Sequence, residues 1–246
     1  MTQPPRSLHD MGWNEGPLIG FDLETTGINP CKDLPVQVAL VRWEPFDRPH
    51  RDVFVVDPGC DIPASAQAIH GITTQRARRE GCPLSEAAAI VHAVLYRAQI
   101  EQVPVVAMNA SFDVTIATVL FRAFGLKPVT WEALVDPLVI DRQVDRYRSG
   151  KRRLDALCHT YDVVLASPHD AGNDADAAVS IVRTIATRYP EIAACGIGEL
   201  TRFQIEWHRT WALEYDSWCR DNGRPGLAPE DFCWPLREIL DPHIAA

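Results

Sequence analysis

The chain of 246 residues has no apolar run long enough to cross a bilayer. Its first stretch, Met1 to Asn14, is polar and has no apolar signal core. The expectation is a cytoplasmic protein with no membrane attachment. No two of the seven cysteines (Cys31, Cys60, Cys82, Cys158, Cys195, Cys219 and Cys233) form a CxxC pair, and their number is odd. That speaks against a zinc knuckle or a disulfide framework and for reduced thiols. There is no internal repeat and no low-complexity segment. Positive charge is short, with 24 Lys and Arg against 33 Asp and Glu. Lysine is the scarcer of the two cations, and arginine suits bidentate phosphate contacts.

The deficit is uneven. From Glu191 onward five Arg face ten acidic residues, while Arg142–Arg153 carries six basic residues against the single acid Asp145. That run is expected either to steer phosphates or to be a solvated loop.

Leu18–Leu23, Val36–Trp43 and Val53–Val56 read as successive strands, rich in Val, Ile and Leu and bounded by Pro, Gly and Asp. Ala64–His70 reads as a short helix ending at Gly71. Leu84–Gln99 has helical spacing, with Ser85 as its expected cap. Val103–Ala107 is a short strand, Phe112–Phe124 a helix closed by Gly125, and Leu134–Ile140 a strand or a helix start. Arg153–Tyr161 and Asp174–Tyr189 complete the helices. This is the pattern of an α/β fold, a mixed sheet flanked by helices.

After Pro190 a long helix is expected over Gly196–Asp221. Phe203, Trp207, Trp211, Tyr215 and Trp218 fall along one stripe of it. The preferred reading is that the stripe packs on the main domain; the sharper one is a docking surface for a polymerase or other protein partner. The expected division is a polar segment 1–16, a catalytic domain 17–190 and a helical extension 191–246.

The most informative stretch is Phe21-Asp22-Leu23-Glu24-Thr25-Thr26-Gly27. Carboxylates at i and i+2 on a strand share a face. Two like charges at a strand end cost free energy unless neutralised. A hard divalent cation such as Mg²⁺ or Mn²⁺ neutralises them with oxygen ligands. Asp113 follows the strand Val103–Ala107 within Asn109-Ala110-Ser111-Phe112-Asp113. Asp174 follows His169 across a glycine-bearing turn. Histidine titrates near neutral pH, so a mobile His169 suits a general base.

Taken in order, these pieces resemble the DEDDh family of 3′–5′ exonucleases, which includes the proofreading epsilon subunit of bacterial DNA polymerase III. Asp22 to Gly27, Asn109 to Asp113 and His169 to Asp174 match three family motifs. Ile69-His70-Gly71-Ile72-Thr73 matches a fourth, and Leu154 to Cys158 resembles the helix before the third motif. The resemblance covers roughly residues 17 to 188. It implies an RNase H-like fold and a two-ion mechanism, the ions roughly 4 Å apart. It assigns Asp22, Glu24 and Asp174 as metal ligands, with Asp22 shared and Asp113 acting directly or through water. His169 becomes the proton acceptor. Thr25, Thr26 and Ile28 surround the terminal nucleotide, and His70, Asn109 and Phe112 line its pocket. The implied reaction releases nucleoside 5′-monophosphates from a single-stranded or frayed DNA 3′ end, in proofreading or repair.

Two rivals stand beside it: an RNA-trimming exoribonuclease of the same family, and a non-catalytic nucleic-acid-binding module. Asp113 also reads as a helix N-cap or first-turn acid, alone or together with a ligand role, and for His70 a buried, hydrogen-bonded histidine is as open as a substrate contact. Asp170 and Asp176 read as solvated or structural, and His92, His159 and His208 have no metal-site spacing.

Overall fold

The computed structural model describes residues 11–237; residues 1–10, most of the expected polar segment, and 238–246 lie outside the described residues. Its centre is β1 (Leu18–Thr25), buried on both faces. β1 pairs antiparallel with β2 (Pro35–Trp43), and β2 antiparallel with β3 (His50–Asp57). On its other edge β1 pairs parallel with β5 (Val105–Val106), and β5 parallel with β6 (Leu134–Val135). With β4 (Cys82–Pro83) beside β3, the order is β4-β3-β2-β1-β5-β6.

The strand period divides the core. Ile19, Phe21 and Leu23 point to one face, beneath α3 (Leu84–Glu101) and α4 (Ser111–Ala123). Leu18 points to the other, which is covered by α7 (Ala171–Arg188), α5 (Pro137–Val144) and α6 (Leu154–Thr160). By the same alternation Gly20, Asp22 and Glu24 share the α7 face. Gly20 is there for a reason of space. A Cβ on it would stand 2.8 Å from the Ala175 carbonyl oxygen, so glycine lets α7 settle against β1.

The expected elements form, with local differences. Gly71 closes α1 (Ala64–His70) at φ 72°, and Gly125 follows α4 at φ 65°. Leu134–Ile140 is both strand and helix, because Asp136 caps α5 and Pro137 starts it. Ser85 is not the cap of α3; Pro83 holds that place, with no side-chain cap bond. α7 begins three residues before Asp174, because Asp170 accepts the Asn173 N–H at 3.1 Å and caps it. The helix α2 (Thr74–Glu80) lacked a legible apolar period and was not anticipated.

The extension is part of the fold rather than an appendage. Among the described residues β6 is the outer strand, and after the short α8 (Pro190–Ala193) the long α9 (Ile197–Asp221) covers it. The Leu134 N–H donates to Thr201 Oγ1, Gln204 Nε2 donates to the Leu134 carbonyl at 2.8 Å, and the Asp136 N–H donates to Gln204 Oε1 at 2.7 Å. Two polar side chains thus stand in for a missing strand. The preferred reading of the aromatic stripe is corrected by this. The buried face of α9 is Leu200, Thr201, Gln204, His208, Ala212, Asp216 and Cys219. The aromatics lie on the flank: Trp207 is tucked between the two cores, while Tyr215 and Trp218 are 40 % and 44 % exposed.

Candidate active site

The end of β1 gathers acids from three elements. β1 supplies Asp22 and Glu24, the first turn of α4 supplies Asp113, and the first turn of α7 supplies Asp174. One side-chain ligand atom from each of Glu24, His169 and Asp174 lies within 4.8 Å of the others. Asp22 is outside that cluster but feels the charges of Asp113, Asp174, Glu24 and Asp170. Asp113 Oδ1 accepts the Leu23 N–H at 3.0 Å, which fixes the second motif to the strand. Asp113 is therefore a first-turn structural acid whose charge also acts on Asp22.

The electrostatic cost is large. Burial, then the surrounding carboxylates, hold Asp22 well above its usual range. Burial and the charges of Asp174 and Asp170 push Glu24 up to about 7. Burial raises Asp174 to about 6, although the His169 N–H donates to its Oδ2 at 3.2 Å. Asp174 Oδ1 is buried without a hydrogen-bond partner among the described residues. Among the described residues, none of Asp22, Glu24 and Asp174 is paired with Arg or Lys. Hard oxygen donors, mutual repulsion and an orphaned carboxylate oxygen fit a divalent cation.

His169 is exposed at φ 62°, in the loop before α7. His70 ends α1 nearby. Its Nδ1 accepts the Ile72 N–H at 3.1 Å and its buried Nε2 has no partner among the described residues; burial lowers its pKa, opposed by the Thr25 backbone and aided by the neighbouring His169. Both readings of His70 therefore meet in one residue, hydrogen-bonded at a helix end and beside the site. Thr25 and Thr26 are buried, and their hydroxyls are committed to the turn. Thr25 Oγ1 donates to the Gly27 carbonyl at 2.6 Å, and Thr26 Oγ1 donates to Asp33 Oδ1 at 2.8 Å. Ile28, at the tip of that turn, is 89 % exposed. Asn109 takes φ 59°, and Phe112 is half-buried against the core.

Two residues that hold the site were missed. Asp136, almost fully buried, accepts the N–H groups of Asn109 at 3.1 Å, Ala110 at 2.9 Å and Leu138 at 2.9 Å, and also the Trp234 indole N–H. It fixes the loop that carries Asn109 and leads into Asp113. The Asp-Pro pair that marks a helix start was a legible signal for it. Gln37 lies opposite Glu24 in the sheet, and its Oε1 accepts the Ala171 N–H at 3.1 Å, tying β2 to the start of α7. No sequence signal marks it inside an apolar strand.

Much of the basic run is already paired. Arg148 and Arg152 turn inward onto the fully buried Asp141, which also accepts the Tyr161 hydroxyl at 2.8 Å. Arg146 pairs with Glu214, and Arg153 with Asp155. Asp176 is structural, bound by the Trp43 indole N–H and by Arg51. His92 and His208 bond to backbone carbonyls.

A mixed sheet flanked by helices, with carboxylates gathered at the end of its central strand, is the RNase H-like arrangement of a nuclease. The chain belongs to the Exonuclease (RNase_T) family, which matches residues 19–182. It is 28% identical over 171 residues to a DNA polymerase III PolC-type from Streptococcus mutans, and 28% identical over 172 residues to one from Bacillus subtilis. These matches cover 68% and 64% of this chain, but the chain spans only 11% and 10% of those relatives. A solved structure of exonuclease I superposes with a TM-score of 0.64, at 24% identity, over 72% of this chain and 42% of that one. E. coli exonuclease I in complex with a dA16 oligonucleotide superposes with a TM-score of 0.62, at 23% identity, over 79% of this chain and 44% of that one.

Proposed function

We propose that this exonuclease is a Mg²⁺- or Mn²⁺-dependent 3′–5′ enzyme that releases nucleoside 5′-monophosphates from single-stranded or frayed DNA ends. The observation that carries the reading is the cluster of Glu24, Asp174 and His169, with Asp22 and Asp113 interacting beside it and Asp174 Oδ1 unpartnered among the described residues. Asp22, Glu24 and Asp174 would hold a pair of ions, and Asp113 would assist them. When bound, such ions neutralise developing phosphate charge and favour deprotonated water.

The chain's own groups do the remainder. An imidazole nitrogen of His169 accepts the proton of the attacking water, and the neighbouring carboxylates stabilise the imidazolium. Asp174 restrains the His169 backbone through its N–H. The internally bonded Thr25-Thr26 turn presents backbone and methyl groups to the terminal nucleotide rather than free hydroxyls. Exposed Ile28 wedges beneath the last base, and Phe112, Asn109 and His70 form the wall of the pocket. DNA polymerase III PolC-type relatives, and the dA16 complex of exonuclease I, support DNA as substrate and a role in proofreading or repair.

The test is release of labelled 5′-monophosphate from matched 3′-labelled DNA and RNA oligonucleotides, single- and double-stranded, with Mg²⁺, Mn²⁺ or EDTA. Single-stranded DNA is expected to be trimmed fastest, and only with metal. Faster RNA trimming would make the enzyme an exoribonuclease, and metal-independent binding without turnover would make it a binding module.

A further inference from the structure

The flank of α9 holds the second concentration of chemistry in the molecule. Trp211 and Tyr215 stack with centroids 5.3 Å apart and planes 12° apart, and Tyr215 and Trp218 follow at 5.9 Å and 20°. The Arg142 guanidinium lies 3.3 Å over Trp211, and that of Arg224 lies 4.8 Å over Trp218. Beside this ladder a cleft of about 240 Å³ opens between α5, the loop after it and α9. Its walls include Arg142, Arg146, Tyr147, Trp211 and Tyr215, and Tyr147 is 91 % exposed.

We propose that this cleft is a second nucleic-acid subsite, which stacks the bases of a single strand running back from the 3′ end held at the carboxylates. The inference rests on the nuclease function proposed above. Three properties select a nucleic-acid strand over a protein helix. Among the described residues no Leu, Ile, Val or Met lines the cleft, so an apolar peptide finds no aliphatic pocket there to fill. The lining offers flat aromatic faces and guanidinium planes, which bind any base by stacking. Arg146 is paired with Glu214 and Arg152 with Asp141, so the cation the cleft offers is Arg142, which has no ion pair among the described residues and lies flat over Trp211.

Position agrees with chemistry. Asp136 accepts the Asn109 N–H at the active site, and it also feels the charge of Arg142 in the cleft. Asp136 therefore touches the active-site loop on one hand and senses the cleft on the other, and α5, which it caps, carries Arg142 into the cleft. The inward-turned Arg148 and Arg152 hold the loop that carries Tyr147.

The experiment uses the full chain with Ca²⁺ in place of Mg²⁺, a hard cation that lets the carboxylates hold the 3′ end while the strand stays intact, and fluorescein-labelled single-stranded DNA. A dodecanucleotide reaches both sites; a trinucleotide reaches only the carboxylates. Replacing both exposed tyrosines, Tyr147→Ala with Tyr215→Ala, is expected to weaken dodecanucleotide binding about tenfold. Trinucleotide affinity is expected to hold. Arg142→Gln is expected to flatten the salt dependence of dodecanucleotide binding by about one ion. Unchanged dodecanucleotide affinity in the double variant overturns the subsite, as does an equal loss for both lengths. Altered self-association with unchanged DNA affinity assigns the face to protein and also overturns it. If the unmodified chain with Mg²⁺ neither binds nor trims the dodecanucleotide, the nuclease reading itself fails.

Discussion

The Leu23 backbone N–H donates to Asp113 Oδ1 at 3.0 Å, joining two positions 90 residues apart in the chain. One carboxylate thus locks α4 to the central strand and adds a negative charge beside Asp22. The two tasks separate by substitution. Asp113→Asn keeps an acceptor for Leu23 and should melt close to the parent, yet lose at least about a hundredfold in turnover. Asp113→Ala loses the acceptor too and should cost about 1–3 kcal/mol. Chemical denaturation beside a nucleotide-release assay checks both; equal stability of the two variants would remove the locking role.

The acid cluster predicts an unusual pH response. Carboxyls raised on folding bind more protons in the native than in the unfolded state, so stability falls as pH rises between the two pKa values. For Glu24 and Asp174 that window runs from the ordinary carboxylate range up to about 7 and about 6. In EDTA the melting temperature should fall across it. Mg²⁺ or Mn²⁺ should restore it, most strongly at the upper end. Glu24→Gln should raise metal-free stability at neutral pH by about 1–2 kcal/mol. A flat profile in EDTA would contradict the mutual repulsion.

Asp22→Ala should abolish nucleotide release with the fold intact, since Asp22 feels every other acid of the cluster. His169→Ala should slow hydrolysis about 10²–10⁴-fold while DNA affinity stays within about twofold. Single-turnover rates and anisotropy titrations separate the two effects. Equal losses of rate and affinity would argue against a proton acceptor.

Asp136 should prove costlier than its distance from the chemistry implies. Asp136→Ala orphans the N–H groups of Asn109, Ala110 and Leu138 and the Trp234 indole, and should cost about 3–5 kcal/mol. Trp234→Phe removes one of those bonds and should cost about 1 kcal/mol. Thermal melts of both variants check the ranking.

A chain ending at Pro190 should not remain a stable, soluble domain. Removing α9 bares the edge of β6 and the polar groups of Leu134 and Asp136 that Thr201 and Gln204 satisfy. Loss of solubility, or a broad non-cooperative melt, is the expected result. A fully stable fragment would restore the extension to an appendage.

The sequence by itself determined what short-range chemistry specifies. Asp22 and Glu24 share a face because a strand alternates, and β1, β2 and β3 are legible because their apolar residues are consecutive and bounded by turn formers. Histidine and aspartate near a helix start announce His169 and Asp174. The roles of Gln37 and Asp136 were decided only by tertiary structure, since each is defined by partners far away in the chain. The same holds for the arginines of the basic run, whose sequence charge is positive but whose Asp141 partner is buried and already spoken for. The aromatic stripe gives the sharpest contrast. Helical period placed those rings in one row, but which side of α9 the protein buries depended on an open sheet edge. That edge needed hydrogen bonds, so Thr201 and Gln204 turned inward and left the larger aromatic rings on the flank.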